Sequence, residues 1–270
     1  MKPIIKDQIV IEYEDREYGF ANNIFSHRLF DLVTEALKAI EHKEGFLVTQ
    51  NNHHLLSEEE KYVARVFTLY SKIDSTALQI RFVKLFTARN PLSKHYFKNG
   101  LNELAYIDYH QDMLFHKVHT MLELMRLMVN EIYGFEIPEK DCNWNSLKNK
   151  LADKDPVKLG LEMYFTAFES LINARHALSH RGPMDNPVRD EIEIFKGYRF
   201  YAFMANGQTF DEDFLKLIPM SRIKSEIRKY KKDKMNLIND VAKENGRLIN
   251  IFFEHLLPVF ESKLVKYKNG

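Results

Sequence analysis

The sequence predicts an all-α fold, a four- or five-helix bundle with short irregular or small β-hairpin additions. Three observations carry this. Four long stretches repeat apolar residues every three to four positions, the period of a helix that buries one face. Glycine and proline are sparse, 10 and 8 of 270 residues, which disfavours a loop-rich sandwich. Capping residues and helix stops punctuate the periodic stretches where a bundle needs its turns.

The chain begins with 7–20, DQIVIEYEDREYGF, which alternates apolar and polar residues and is expected to be a strand. The first long helix is expected over 57–89, with Ser57 and Glu60 as a capping box and Asn90-Pro91 as its stop. A second covers 103–134 and ends at Gly134. Its Leu114, Val118, Met121, Leu122, Met125 and Val129 form one apolar face. A short helix is expected at 143–151 with Asn143 as N-cap, followed by a third long helix at 155–181. The segment 191–203, EIEIFKGYRFYAF, alternates again, and Lys196-Gly197 could turn it into a small hairpin, with helix the alternative for this stretch and for 7–20. A fourth long helix is expected over 219–256, stopped by Pro258. No repeat or Ser/Gly-rich linker divides the chain. The expected layout is one mainly helical domain over 1–270: an N-terminal extension to 55, a bundle core at 56–185, an insertion at 186–218 and a final helix at 219–258.

Charge and cysteine content narrow the function. Lys and Arg number 39 against 38 Asp and Glu, so any polyanion site is a local patch rather than a property of the whole surface. Cys142 is the only cysteine; no intramolecular disulfide can form, and a reducing, cytoplasmic setting is expected. The N-terminus has acids within its apolar run and no signal-peptide core, and no stretch reaches the roughly 18 apolar residues of a membrane helix. No membrane association is expected.

The densest chemistry lies at 173–182, NARHALSHRG, at the end of the third long helix. At about 100° per residue, with Arg175 at zero, Ser179 falls near ~40°, His176 near ~100° and His180 near ~140°. Leu171, Ala174 and Leu178 fall on the opposite side. The polar residues therefore share an arc in the last turn, where free carbonyls favour imidazolium, and Gly182-Pro183 closes the helix.

Arg175, four intervening residues and His180 resemble the R-x(4–6)-H signature of the HEPN superfamily. His176 fits the polar position that commonly follows the arginine. The upstream LMVNEIYG at 127–134 and CNWNSLKNKL at 142–151 are also similar to the approach to that motif. The resemblance covers about 100–185 in detail and the remaining helices only in outline. It implies a helical bundle that acts as a metal-independent endoribonuclease, or a member of the same fold that binds RNA or nucleotides without cutting, or the helical partner of a second protein in a stress or defence pair such as a toxin–antitoxin system.

Cleavage by the RNA's own 2′-hydroxyl needs a base, an acid and a cation at the phosphorus. Histidine and arginine supply all three without metal or cofactor. The resemblance makes Arg175 and His180 the catalytic pair, with His176, Ser179 and Arg181 in support, in a homodimer whose two motifs face each other. His176 is alternatively a second proton carrier within one chain. Some HEPN toxins carry a tyrosine two residues after the motif histidine that a partner enzyme modifies; Gly182 occupies that place here.

Two further clusters carry charge or metal-ligand residue types. His116, His119 and Glu123 have metal-ligand spacing on the second helix, but no second such pair accompanies them, and they read as a polar face bordering solvent or the bundle interface. If that face meets the motif helix, His116 or His119 lines the same cleft. The run at 221–234 carries Arg222, Lys224, Arg228, Lys229, Lys231, Lys232 and Lys234 against Glu226 and Asp233. Arg222, Lys224, Arg228, Lys231 and Lys232 are its candidate RNA contacts, with Tyr230 available to stack a base; a solvated face is the alternative. There is no P-loop, G-x-G-x-x-G, G-x-S-x-G or H-E-x-x-H.

Overall fold

The computed structural model describes residues 20, 22–89, 94–181, 186–207, 209 and 212–269. Its helices are α1 (Ile24–Ile40), α2 (Glu58–Ala88), α3 (Lys94–Lys98), α4 (Glu103–Tyr133), α5 (Trp144–Lys148), α6 (Pro156–Arg181), α7 (Pro187–Ala205), α8 (Glu212–Leu217) and α9 (Met220–Asn269). No strand occurs among the described residues, and no helix there is long and apolar enough to cross a membrane. The chain is all-α.

Local chemistry sets the helix ends. The Ser57 hydroxyl accepts from the Glu60 N–H at 3.2 Å while the Glu60 carboxylate accepts from the Ser57 N–H at 2.6 Å, the reciprocal box that starts α2. Asn102 caps α4 through the Ala105 N–H at 2.9 Å, and Gly134 ends it at φ 67°, where a side chain would be strained. Asn143 caps α5, bonding the Ser146 N–H at 3.1 Å. At the start of α6 the Asp155 carboxylate accepts from the Val157 N–H at 2.8 Å, and Pro156 occupies a position whose N–H would be unpaired anyway.

The four long helices form the bundle. α2 packs on α4, α4 on α6, and α9 lies along all three. Leu114, Val118, Met121, Leu122, Met125 and Val129 are all buried, as their spacing predicts. A polar link crosses this core, where the buried Tyr164 hydroxyl donates to Asn245 Oδ1 at 2.8 Å. α1, within the stretch read only as an N-terminal extension, packs on α2 and α9, with Phe25 stacked on Phe253 at 4.9 Å between ring centroids. A smaller apolar cluster of Leu104, Ile107, Ile192, Ile223 and Tyr230 joins α7 to the beginnings of α4 and α9.

Two expectations are corrected. The hairpin expected at 191–203 is helical, within α7. Asn186 caps it through the Arg189 N–H at 3.2 Å and Pro187 begins it. Ile192 and Ile194 are about 200° apart on a helix, so their alternation puts one in the core and the other in solvent. The final helix does not stop at Pro258 but continues to Asn269. Pro258 is exposed, so the hydrogen bond it forfeits lies on the wet side, and buried Phe253, Leu256, Phe260 and Leu264 carry the helix past it. The strand expected at 7–20 lies outside the described residues except for Phe20, which is buried, and the Asn90-Pro91 stop also lies outside them.

Candidate functional site

The last two turns of α6 run beside the middle of α4, and this pairing builds the site. Arg175 is half-buried, His176, Ser179 and His180 are exposed, and Gly182, Pro183 and the Arg181 side chain lie outside the described residues. Arg175 Nη1 is 3.5 Å from His176 Nδ1. The His176 ring stands edge-on to the ring of His119 on α4, 5.4 Å between centroids and 87° between planes.

His119 is buried, and its Nδ1 lies 3.5 Å from Glu123 Oε2 one turn along α4. The other Glu123 oxygen is 4.0 Å from Arg126 Nη2. A chain of charge thus runs from Arg126 through Glu123 and His119 to His176 and Arg175. The hydrogen bond from His119, followed by the charges of His119, Arg126 and Arg175, holds the Glu123 carboxyl below the usual glutamate range despite some burial. His176 is shifted the other way from a paired histidine. Desolvation first, then the charges of His119, Arg175 and His180, pull its pKa below the ordinary value, with Glu123 opposing. His176 is thereby biased toward the neutral imidazole, the form that accepts a proton.

The structure brings together much of what the sequence singled out and separates the rest. His119 meets the motif helix, whereas half-buried His116 lies near Asp112, one turn nearer the start of α4. Among the described residues no group of three or more His, Cys, Asp and Glu side chains is arranged to hold a metal ion. Arg126, Trp144 and Phe165, which border the same cleft as His119 and His176, drew no functional reading from the sequence. The available signal was the continuation of the His116–His119–Glu123 stripe by three more residues to Arg126.

The basic run divides. Arg222 turns toward α7, 4.8 Å from the Phe195 ring centre and 4.0 Å from Glu191. Lys224, Arg228 and Lys232 are exposed, and Lys231 reaches the Ala88 carbonyl at 3.5 Å. Tyr230 is buried and donates its hydroxyl to Asp108, which removes it as a stacking platform. Lys234 enters a cleft of about 330 Å³ that also holds Asp108, Asp112, Arg189 and Leu178 of the motif helix. Burial and the neighbouring Asp108 push the Asp112 carboxyl up, and burial pushes the Lys234 ammonium down.

Comparison with known families now adds to the geometry. The family described as HEPN_Cthe2314-like HEPN matches residues 25–245, from the start of α1 well into α9. The chain belongs to this HEPN family. No curated protein and no solved structure matches it. The match includes α1 and α7, so both helices are part of the HEPN unit, and the all-α bundle is the expected HEPN architecture.

Proposed function

We propose that this HEPN protein is a metal-independent endoribonuclease whose centre is the last turns of α6. The observation that carries the reading is the gathering of Arg175, His176 and His119 within one contact network, with His180 one turn away on the same arc and close enough for its charge to act on His176. Arg175 holds the scissile phosphate and stabilises the charge that builds on its oxygens. A neutral imidazole takes the proton of the 2′-hydroxyl as its oxygen bonds to phosphorus. An imidazolium then donates a proton to the departing 5′-oxygen, leaving a 2′,3′-cyclic phosphate and a free 5′-hydroxyl.

The depressed pKa of His176 suits the base, and His180, one turn along the same arc, is placed to act as the acid. A second copy is the alternative source of the second proton carrier. The exposed Ile194, Tyr198 and Tyr201 on one face of α7 supply apolar surface for such a pairing. Ser179, exposed on the same arc, borders the approach to the phosphate. Lys224, Arg228, Lys231 and Lys232 on the first turns of α9 extend the cationic path for the RNA backbone, with Arg222 at its margin beside α7.

Purified protein incubated with mixed structured RNAs in EDTA tests this. Wild type is expected to leave cyclic phosphate ends, and Arg175→Ala or His180→Ala to lower the rate by about 10² to 10⁴ while the helical fold persists. Binding of RNA that weakens in Arg175→Ala, with no cleavage by wild type, would instead mark a non-catalytic RNA- or nucleotide-binding member. Neither binding nor cleavage would leave a protein-interaction bundle of the kind that pairs with a second protein in stress or defence systems.

A further inference from the structure

We infer that the cleft beside His176 is a guanine-recognising base subsite for the RNA. This rests on the reading of α6 as an RNA site and adds a specificity element to it. The cleft lies between α4, α5 and α6 and has a volume of about 120 Å³. It is smaller than the roughly 150 Å³ apolar cavity that takes up benzene, so it suits the edge of a base whose remaining ring stays at the surface. Leu122, Trp144, Phe165 and Ile172 form its walls, and Phe165 at 43% exposure stands at the surface, where a planar ring can stack.

The polar lining determines which base fits. Arg126 is only 14% exposed along its side chain, and its buried Nε meets no acceptor among the described residues. Glu123, at 4.0 Å from Nη2, lies beyond hydrogen-bond distance. A guanidinium carries five donors in a fork and no acceptor, and the exposed part of this one borders the cleft, so it presents N–H donors to a ligand there. Guanine presents two neighbouring acceptors, O6 and N7, which match the fork. Adenine puts an amino donor beside its N7 and meets the same fork donor to donor.

Position supports a nucleotide rather than a free heterocycle. Leu161, Phe165, Ile172 and His176 fall within about 60° of one another around α6, on the same arc as Arg175 and Ser179. The cleft runs along α6 from Leu161 to His176, and Arg175 meets His176 at 3.5 Å, so a phosphate held by Arg175 is the immediate neighbour of a base at the His176 end of the cleft.

The chain has one tryptophan, and it is in this cleft, so Trp144 fluorescence reports occupancy directly. Guanosine 3′-monophosphate is expected to quench it saturably, with adenosine 3′-monophosphate at least about tenfold weaker. Arg126→Met is expected to abolish that preference. Arg126→Lys keeps the charge but loses the fork, and should weaken guanosine monophosphate toward the adenosine value; it serves as the check if the methionine variant unfolds. No quenching by either nucleotide, equal quenching by both, or a preference that survives both folded variants would overturn the subsite. Preferential quenching without RNA cleavage in EDTA would keep the subsite and overturn the ribonuclease reading. Cleavage without quenching would do the reverse.

Discussion

The imidazole of His119 stands edge-on to that of His176, with ring centroids 5.4 Å apart, and joins the polar ridge of α4 to the motif end of α6. Because Glu123 holds His119 from the far side, the contact couples a carboxylate, two imidazoles and the guanidinium of Arg175.

The first prediction concerns the titration of His176. Its pKa lies below the ordinary histidine value because of desolvation and the charges of His119, Arg175 and His180. Native protein thus disfavours the imidazolium, and stability contributed by this group is present at neutral pH and lost as pH falls through the ordinary histidine value toward the depressed one. His119→Asn removes one cationic neighbour and should move the His176 pKa upward. NMR titration of the His176 ring protons measures this without any need for activity, and an unchanged or lower value would contradict the coupling.

The second concerns the polar link in the core. Tyr164→Phe deletes the hydroxyl that donates to Asn245 Oδ1 and leaves that buried oxygen without its donor. A loss of about 1–2 kcal/mol is expected in urea unfolding. An effect near zero would mean that water replaces the donor.

The third tests the passage of α9 through Pro258. Restoring the backbone donor at an exposed helical position with Pro258→Ala should stabilise the protein by about 1–3 kcal/mol. Were the helix to end there, the same substitution would be neutral or destabilising in thermal unfolding.

The fourth addresses association. Ile194, Tyr198 and Tyr201 are 53%, 57% and 72% exposed on one face of α7. If a second copy covers them, Ile194→Glu with Tyr201→Glu should convert a dimer to a monomer in sedimentation experiments while helicity is unchanged. A wild-type monomer at micromolar concentration would remove α7 as a dimer surface.

The sequence by itself determined the long helices and placed the Arg175–His180 segment at the end of one of them. Ser57 with Glu60, Asn143 and Gly134 act within a few residues, so their capping chemistry is legible in one dimension, and the three-to-four spacing of Leu114 to Val129 names a buried face before its partner is known. The crowding of Arg175, His176, Ser179 and His180 into one arc follows from helix geometry alone. Tertiary structure decided the rest. Alternation in 191–203 could not distinguish strand from helix, because burial of Ile192 against Ile223 and Tyr230 depends on residues about 30 to 40 positions away. Pro258 read as a stop because its local cost is visible, whereas the compensating burial of Phe260 and Leu264 is not. His119 and Arg126 became part of the site only when α4 was laid beside α6. Their significance is a matter of which face meets which helix, a relation between residues dozens of positions apart in the chain that no local spacing encodes.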